Sequence, residues 1–295
     1  MITTRQLRYF DALVRTGHFG RAAEEVGVSQ PALSIQIREL EAALGGPLVD
    51  RGTTAHRLTP LGAEVAARAA GILTALRNLE DLAFVRGEVL TGPLSLGIIP
   101  TIAPYLLPRL MPVLAEHHPR LRLLLREAVT ATVVDELKAG KLDAVVASLP
   151  LNEPEFDEAP AFVDRFLLAA PAGSPMAEAG EVSPGEVRAG DLLLLEDGHC
   201  LRDQALAVCG MIDPRRLRTF GATSLATILQ LVAAGQGVTL LPEMAIDPGL
   251  RADRRLALVE FTQPQPGRTI GVAWRKGSPR DADFRALAAA ITAAA

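Results

Sequence analysis

The sequence predicts an α/β protein in three parts: an N-terminal winged helix-turn-helix over residues 1–60, a long linker helix over 61–90, and a two-lobed domain over 91–295. Three patterns carry that prediction. Short helix-period runs and a basic turn segment open the chain, one run of heptad spacing follows, and strand and helix patterns then alternate to the end. With 295 residues, 49% hydrophobic and 4% aromatic, the chain fills two modest cores and a small leading module more readily than one large core.

In the leading module, Leu7, Phe10, Leu13 and Val14 recur at helical spacing, and Gly17 ends the first helix. A second helix holds Ala22, Ala23 and Val26 and turns at Gly27. Ser29 then stands at an N-cap position, with Pro31 in the first turn of a third helix. That helix turns Leu33, Ile37, Leu40 and Leu44 inward and leaves Gln30, Ser34, Gln36 and Arg38 outward; Gly45-Gly46-Pro47 ends it. Residues 48–58 combine β-branched and turn residues with Arg51, His56 and Arg57, the profile of a short basic hairpin or wing.

From Thr59-Pro60 to about Val89, residues Val65, Ala69, Ile72, Leu76, Leu79 and Ala83 alternate steps of four and three, a heptad seam. Such a seam packs on its own domain or pairs with the same helix of a second subunit. The length of the run, and the lack of a partner helix next to it in sequence, favour pairing. Thr91-Gly92-Pro93 reads as a hinge. Beyond it, residues 94–99, 121–126 and 144–147 read as strands separated by helices, a βαβ series with a parallel sheet. A second such unit is read through 166–170, 192–195, a helix after Asp197, and 238–241. Residues 270–275 read as a returning strand, so the chain crosses twice between lobe I (91–164 and 268–295) and lobe II (165–267). The cleft between two lobes is a natural small-molecule site.

The net charge is −4, and residues 1–60 carry seven Arg against six Asp and Glu, so charge alone does not identify a nucleic-acid binder. The opening Met1-Ile2-Thr3-Thr4-Arg5 runs into charged amphipathic sequence without the apolar core of a signal peptide, and no apolar run approaches the roughly 18 residues of a membrane span. A cytoplasmic protein that spans no membrane is expected. Cys200 and Cys209 are the whole thiol inventory, and a structural disulfide between them would be unusual in a reducing compartment. Catalytic, sensing, metal-binding and merely buried roles stay open for each on composition alone.

Residues 28–41, Val-Ser-Gln-Pro-Ala-Leu-Ser-Ile-Gln-Ile-Arg-Glu-Leu-Glu, resemble the recognition-helix signature of LysR-type transcription regulators. The order of parts is similar to that family as well: winged helix-turn-helix, linker helix and a two-lobed, periplasmic-binding-protein-like effector domain. The resemblance implies that Ser29, Gln30, Pro31, Ser34 and Gln36 lie on the DNA-reading helix, and that Arg38 and Arg51 approach phosphate or groove edges of double-stranded operator DNA. An alternative for Arg38 is simple solvation. Many wings of the family carry Arg where Thr54 stands here, which shifts the expected wing contacts toward His56 or Arg57. RNA polymerase as a partner, a homodimer through the linker helix and a homotetramer built as a dimer of dimers are further implications of the resemblance.

A narrower resemblance concerns residues 195–205, Leu-Glu-Asp-Gly-His-Cys-Leu-Arg-Asp-Gln-Ala, with Cys209 nine residues after Cys200; these resemble the redox segment of the family's OxyR, or peroxide-sensing, branch. Stretches at 99–101, 104–108, 222–225, 232–235 and 268–271 agree. The resemblance implies a hydrogen-peroxide pocket formed by Thr101, Thr130, His199 and Arg268 around Cys200, with Arg202 and Asp203 in support and no cofactor or metal. A lone Thr in such a loop is otherwise most simply a cap or turn residue.

The chemistry asked of these residues is definite. A thiol near its ordinary pKa of about 8.5 is only a few per cent thiolate at neutral pH. Cys200 is therefore expected in a helix first turn, where unpaired N–H groups favour negative charge, with His199, Arg202 and Arg268 adding positive charge. Full ionisation gains only about 30-fold, so donors must also meet the departing hydroxide. The sulfenic acid so formed would be captured by Cys209. On one continuous helix nine residues rise by roughly 13 Å and place the thiols on opposite faces, whereas a disulfide needs Cα atoms within about 7 Å. Oxidation is thus expected to unwind the segment, which Gly198 and Gly210 bracket. Competing readings are a LysR-type regulator that binds a small organic anion with inert cysteines, a thiol peroxidase, which would need no helix-turn-helix, and a metal sensor, which the spacing serves poorly for want of a CxxC pair.

Overall fold

The computed structural model describes residues 1–50, 57–85, 88–210 and 218–295. The chain divides into two compact units, Met1–Ala83 and Phe84–Ala295.

The first unit holds α1 (Thr4–Thr16), α2 (Phe19–Glu25), α3 (Gln30–Leu44), the antiparallel pair β1 (Val49–Asp50) and β2 (Arg57–Leu58), and most of α4 (Pro60–Val85). Its ends are set locally. Thr3 and Gln6 exchange backbone and side-chain hydrogen bonds at 3.0 and 3.2 Å to start α1, and Ser29 Oγ accepts the Ala32 N–H at 3.4 Å to start α3. Phe10, Leu13, Leu33, Ile37, Leu40 and Leu48 are buried together, each worth about 1.5–3 kcal/mol. The turn into the wing is fastened to α3, because buried Glu41 accepts the Leu48 N–H at 3.0 Å. α4 comes so close to this turn that a Cβ at Gly62 would lie 2.0 Å from the Leu48 carbonyl oxygen. Of the wing residues singled out above, Arg51, Thr54 and His56 lie outside the described residues.

α4 corrects the reading of a clean seam. Ala69 and Leu73 are buried in the core of the helix-turn-helix, with Val65 and Ala66 packed on it, while Ile72 is 52% and Leu79 64% exposed. The helix spends one face on its own domain and presents a second apolar face outward. The described helix runs to Val85 and does not include residues 88–90, and the expected hinge at 91–93 is already sheet: Gly92 and Pro93 pair with Leu121 and Arg122.

The second unit opens with β3 (Gly92–Ile98), α5 (Ala103–His117), β4 (Leu121–Glu127), α6 (Thr130–Lys138) and β5 (Ala144–Leu149), in which β4, β3 and β5 run parallel. The 16-residue β6 (Phe156–Pro171) then crosses to the second lobe. There follow α7 (Pro175–Ala179), β7 (Glu181–Val182), β8 (Leu193–Leu195), α8 (Cys200–Val208), β9 (Arg218–Ala222), α9 (Leu225–Ala233), β10 (Thr239–Pro242), α10 (Pro248–Ala252) and β11 (Leu256–Phe261). β12 (Gly267–Arg275) returns the chain to the first lobe, and α11 (Asp281–Ala294) covers it.

The second lobe departs from the expected repeat of the parallel unit. β6 pairs antiparallel with β12 up to Arg165 and antiparallel with β10 and β11 from Phe166 onward, and among the described residues of this lobe parallel pairing is confined to β8 with β9, β7 with β11, and Leu192 with Val238. One strand therefore serves both lobes, and the crossing falls between adjacent residues of it. Two apolar cores flank that point, one around Ile98, Val146, Val272 and Trp274, the other around Phe166, Leu193, Ile228 and Leu240.

Candidate functional site

The carboxyl ends of the parallel strands β3, β4 and β5 lie on one edge of the sheet, where α/β folds receive ligands. Each contributes a hydroxyl: Thr101 follows β3, Thr130 opens α6 after β4, and Ser148 lies at the end of β5. α8 is seated on this edge. Gly198, with φ of +94°, turns the chain into the helix, and a Cβ there would be 3.7 Å from Val129 Cγ2, next to Thr130. One turn into α8, Gln204 Nε2 donates to Ser148 Oγ at 2.7 Å.

Cys200 is the first residue of α8 and Cys209 caps its other end. Both thiols are free. Half-buried Cys200 packs on the core of the first lobe, whereas Cys209 is buried in the core of the second. The helix between them is continuous, so its rise holds them on the order of 13 Å apart, beyond disulfide reach. Burial pushes the Cys209 thiol up to about 11.

Arg268 organises the polar floor. Its Nε is 3.0 Å from Asp164 Oδ2, Nη1 donates to Thr101 Oγ1 at 3.0 Å, and Nη2 donates to the Thr101 carbonyl at 3.1 Å and to Met244 Sδ at 3.7 Å. Asp164 Oδ1 accepts the Met244 N–H at 3.0 Å. Arg268 and Asp164 are register partners on β12 and β6, at the crossing between the lobes. Burial raises the Asp164 carboxyl above the usual carboxylate range, against the downward pull of Arg268 and the Met244 N–H. Thr101 Oγ1 accepts from Arg268, which leaves its own O–H free to donate, and buried Thr130 Oγ1 has no hydrogen-bond partner among the described residues.

The charges differ from those expected. His199 is buried, which lowers its pKa despite the opposing field of Glu196, so it stands beside Cys200 as a neutral imidazole. Arg202 is buried and bound, 2.9 Å from Asp197 and 3.1 Å from the Leu195 carbonyl, and thereby braces the turn that carries Cys200. Asp203 is exposed in the first turn of α8. Arg268 is matched by Asp164. The cations expected to favour a thiolate are therefore a neutral imidazole and two guanidinium groups already matched by Asp197 and Asp164, not a net positive cluster. The stretches quoted from sequence did not single out Asp164, Ser148 or Met244, whose places depend on strand register and lobe packing.

The second candidate surface is α3. Ser29, Gln30, Pro31 and Arg38 are exposed, and Ser34 and Gln36 are half-buried, with Gln36 Nε2 donating to Glu39 at 2.9 Å and Arg38 Nε donating to the Ser34 carbonyl at 3.4 Å. Among the described residues no helix is long and apolar enough to cross a membrane, and no group of three His, Cys, Asp or Glu side chains is placed to hold a metal ion.

Residues 87–295 match the LysR substrate binding domain, and residues 4–63 match the bacterial regulatory helix-turn-helix protein, lysR family. The chain belongs to the LysR family. Within that family it is similar to the DNA-binding transcriptional dual regulator OxyR of Escherichia coli (strain K12), 40% identical over 289 residues, which are 98% of this chain and 94% of that protein. Full-length OxyR from Pseudomonas aeruginosa, solved as a cysteine-to-aspartate variant, superposes with a TM-score of 0.77 at 36% identity, covering 99% of this chain and 95% of that one. A Corynebacterium glutamicum OxyR cysteine-to-serine variant, solved with hydrogen peroxide bound, gives 0.67 at 34% identity, with 99% and 92% covered. This chain is thus a LysR-family transcription regulator similar to OxyR along nearly its full length.

Proposed function

We propose that this regulator senses hydrogen peroxide through Cys200, forms a disulfide between Cys200 and Cys209, and changes its hold on operator DNA. The observation that carries the reading is the thiol at the start of α8, on the strand edge that also holds the Arg268-bound Thr101 and the unpartnered Thr130 hydroxyl. Peroxide needs an attacking sulfur and donors for the oxygen that leaves, and this edge holds a cysteine and two hydroxyls.

Cys200 Sγ attacks one peroxide oxygen, the O–O bond breaks, and the other oxygen leaves as hydroxide, which takes up a proton to become water. The Thr101 and Thr130 hydroxyls and the remaining Nη1 hydrogen of Arg268 donate to the peroxide and to the departing oxygen. Neutral His199 adds a donor or acceptor without a charge, and Arg202 and Asp203 act through the first turns of α8. Cys209, protonated and buried, is too poor a nucleophile to compete. It attacks the Cys200 sulfenic acid only once α8 unwinds, forming the S–S bond and releasing a second water.

The arrangement favours this over recognition of an organic anion, because Asp164 already neutralises Arg268. The thiols are consumed once per signal, so the protein acts as a switch rather than an enzyme. We divide the chain into a DNA-binding domain (1–60), a linker (61–90) and the two-lobed effector domain. Ser29, Gln30, Pro31, Ser34, Gln36, Arg38 and Arg51 are assigned to DNA. Exposed Ile72 and Leu79 on α4 support a homodimer through the linker; a tetramer, a contact with RNA polymerase and a cytoplasmic setting complete the reading. Footprinting of the full-length protein on its operator with and without peroxide is the test. Cys200→Ser is expected to abolish the peroxide-dependent change while keeping the reduced footprint; an unchanged response in that variant contradicts the reading.

A further inference from the structure

We propose that Met244 is a second oxidisable sulfur, and that peroxide at high dose converts it to a sulfoxide that slows the Cys200 switch. Met244 lines a cavity of about 400 Å³ with Tyr105, Arg109, Phe162 and Asp164. Met244 thus lines an open cavity wide enough for a small oxidant and also sets its sulfur on the guanidinium that holds Thr101. Its backbone is fixed as well, since the Met244 N–H is bound to Asp164. Among the described residues Met244 is the one sulfur that lines this cavity.

The chemistry balances with hydrogen peroxide as the oxidant. A sulfur lone pair forms an S–O bond to one peroxide oxygen and the O–O bond breaks. The other oxygen leaves as hydroxide and takes the proton shed by the transferred hydroxyl. Sulfur loses two electrons, peroxide gains two, and one water is released. The Arg268 Nη2 hydrogen beside the sulfur provides a donor for the charge on the leaving oxygen.

The product changes the site. A thioether sulfur is a weak acceptor, whereas a sulfoxide oxygen is a strong one. Placed on Nη2, it competes with the Thr101 carbonyl for Arg268 and loosens the hydroxyl that faces the peroxide. The modification stands on the geometry of Met244 alone; its effect on sensing rests on the peroxide reading of Cys200.

The test uses the full-length protein in two rounds. Excess peroxide is followed by dithiothreitol, which returns the disulfide to thiols and leaves sulfoxide in place, and the rate of Cys200 oxidation is then measured again. Peptide mass spectrometry of the treated protein is expected to show one added oxygen on Met244 before Met111, although Met111 is 41% exposed. The second-round rate is expected to fall about tenfold, the equivalent of one hydrogen bond. Methionine sulfoxide reductase restores it, and Met244→Leu gives equal rates in both rounds. Met244 unoxidised while Met111 is oxidised, or a slower second round that persists in Met244→Leu, overturns the proposal. If Cys200 is not oxidised in the first round, the peroxide reading falls and the Met244 mass shift alone decides the modification.

Discussion

Asp164 and Arg268 face each other across β6 and β12, Oδ2 to Nε at 3.0 Å, with both side chains only 1% exposed. The pair sits where β6 passes from one lobe to the other, and the same guanidinium grips Thr101 at both its hydroxyl and its carbonyl. An ion pair this buried does little for net stability, but removing one partner strands the other charge. Asp164→Ala is therefore expected to cost about 3–5 kcal/mol in urea unfolding and to slow Cys200 oxidation. A loss under about 1 kcal/mol would mean that Arg268 is held by something else.

Thr130→Val separates a role in chemistry from a role in folding. Its Oγ1 has no partner to lose among the described residues, so stability should change by less than about 1 kcal/mol, while loss of a donor to the leaving oxygen should slow Cys200 oxidation by about 10² or more. Stopped-flow kinetics with equilibrium unfolding reads both. A wild-type oxidation rate removes Thr130 from the pocket.

Cys209 ties stability to alkaline pH. Its folded pKa of about 11 lies above the ordinary 9.0, so the folded chain holds the thiol proton more tightly. Stability from this source is whole below about pH 9 and is lost as pH rises toward 11, by about 3 kcal/mol in all. Cys209→Ala should flatten that slope of unfolding free energy. His199 works at the other end: its lowered pKa means the unfolded chain protonates first as pH falls below about 6.5, and stability declines there.

Arg38→Ala tests the DNA face. Exposed on α3 and lightly held by the Ser34 carbonyl, Arg38 should weaken operator binding when removed and reduce the log–log salt slope by about 1. An unchanged salt slope, measured by fluorescence anisotropy, would return Arg38 to ordinary solvation.

The helix-turn-helix was legible because its signals are local: a cap at Ser29, a proline at position 31, a glycine closing α1, and one apolar face. The same holds for the first three strands of the effector unit. What escaped the sequence depended on register. Nothing local tells that Phe156–Pro171 is one long strand with antiparallel partners on both lobes, so the second lobe read as a repeat of the first. Asp164 escaped for the same reason, since only pairing places it opposite Arg268. Leu73 is a further case: heptad counting chose Ile72, but the helix-turn-helix core claims the next residue round the helix. Arg268 and Thr101 were named by resemblance, yet their direct contact spans 167 residues of chain. The neutral His199 was not legible either, because its pKa follows from burial.

In the proposed function, peroxide acts on DNA binding through Cys200 and Cys209. This link is tested most directly by taking one sample through stoichiometric peroxide and reading it twice, by peptide mass spectrometry and by operator footprinting. Two hydrogens are expected to be lost as a Cys200–Cys209 cross-link appears, with the footprint changing in step. A footprint that changes while both thiols stay free, or a complete cross-link with no change in footprint, contradicts this link.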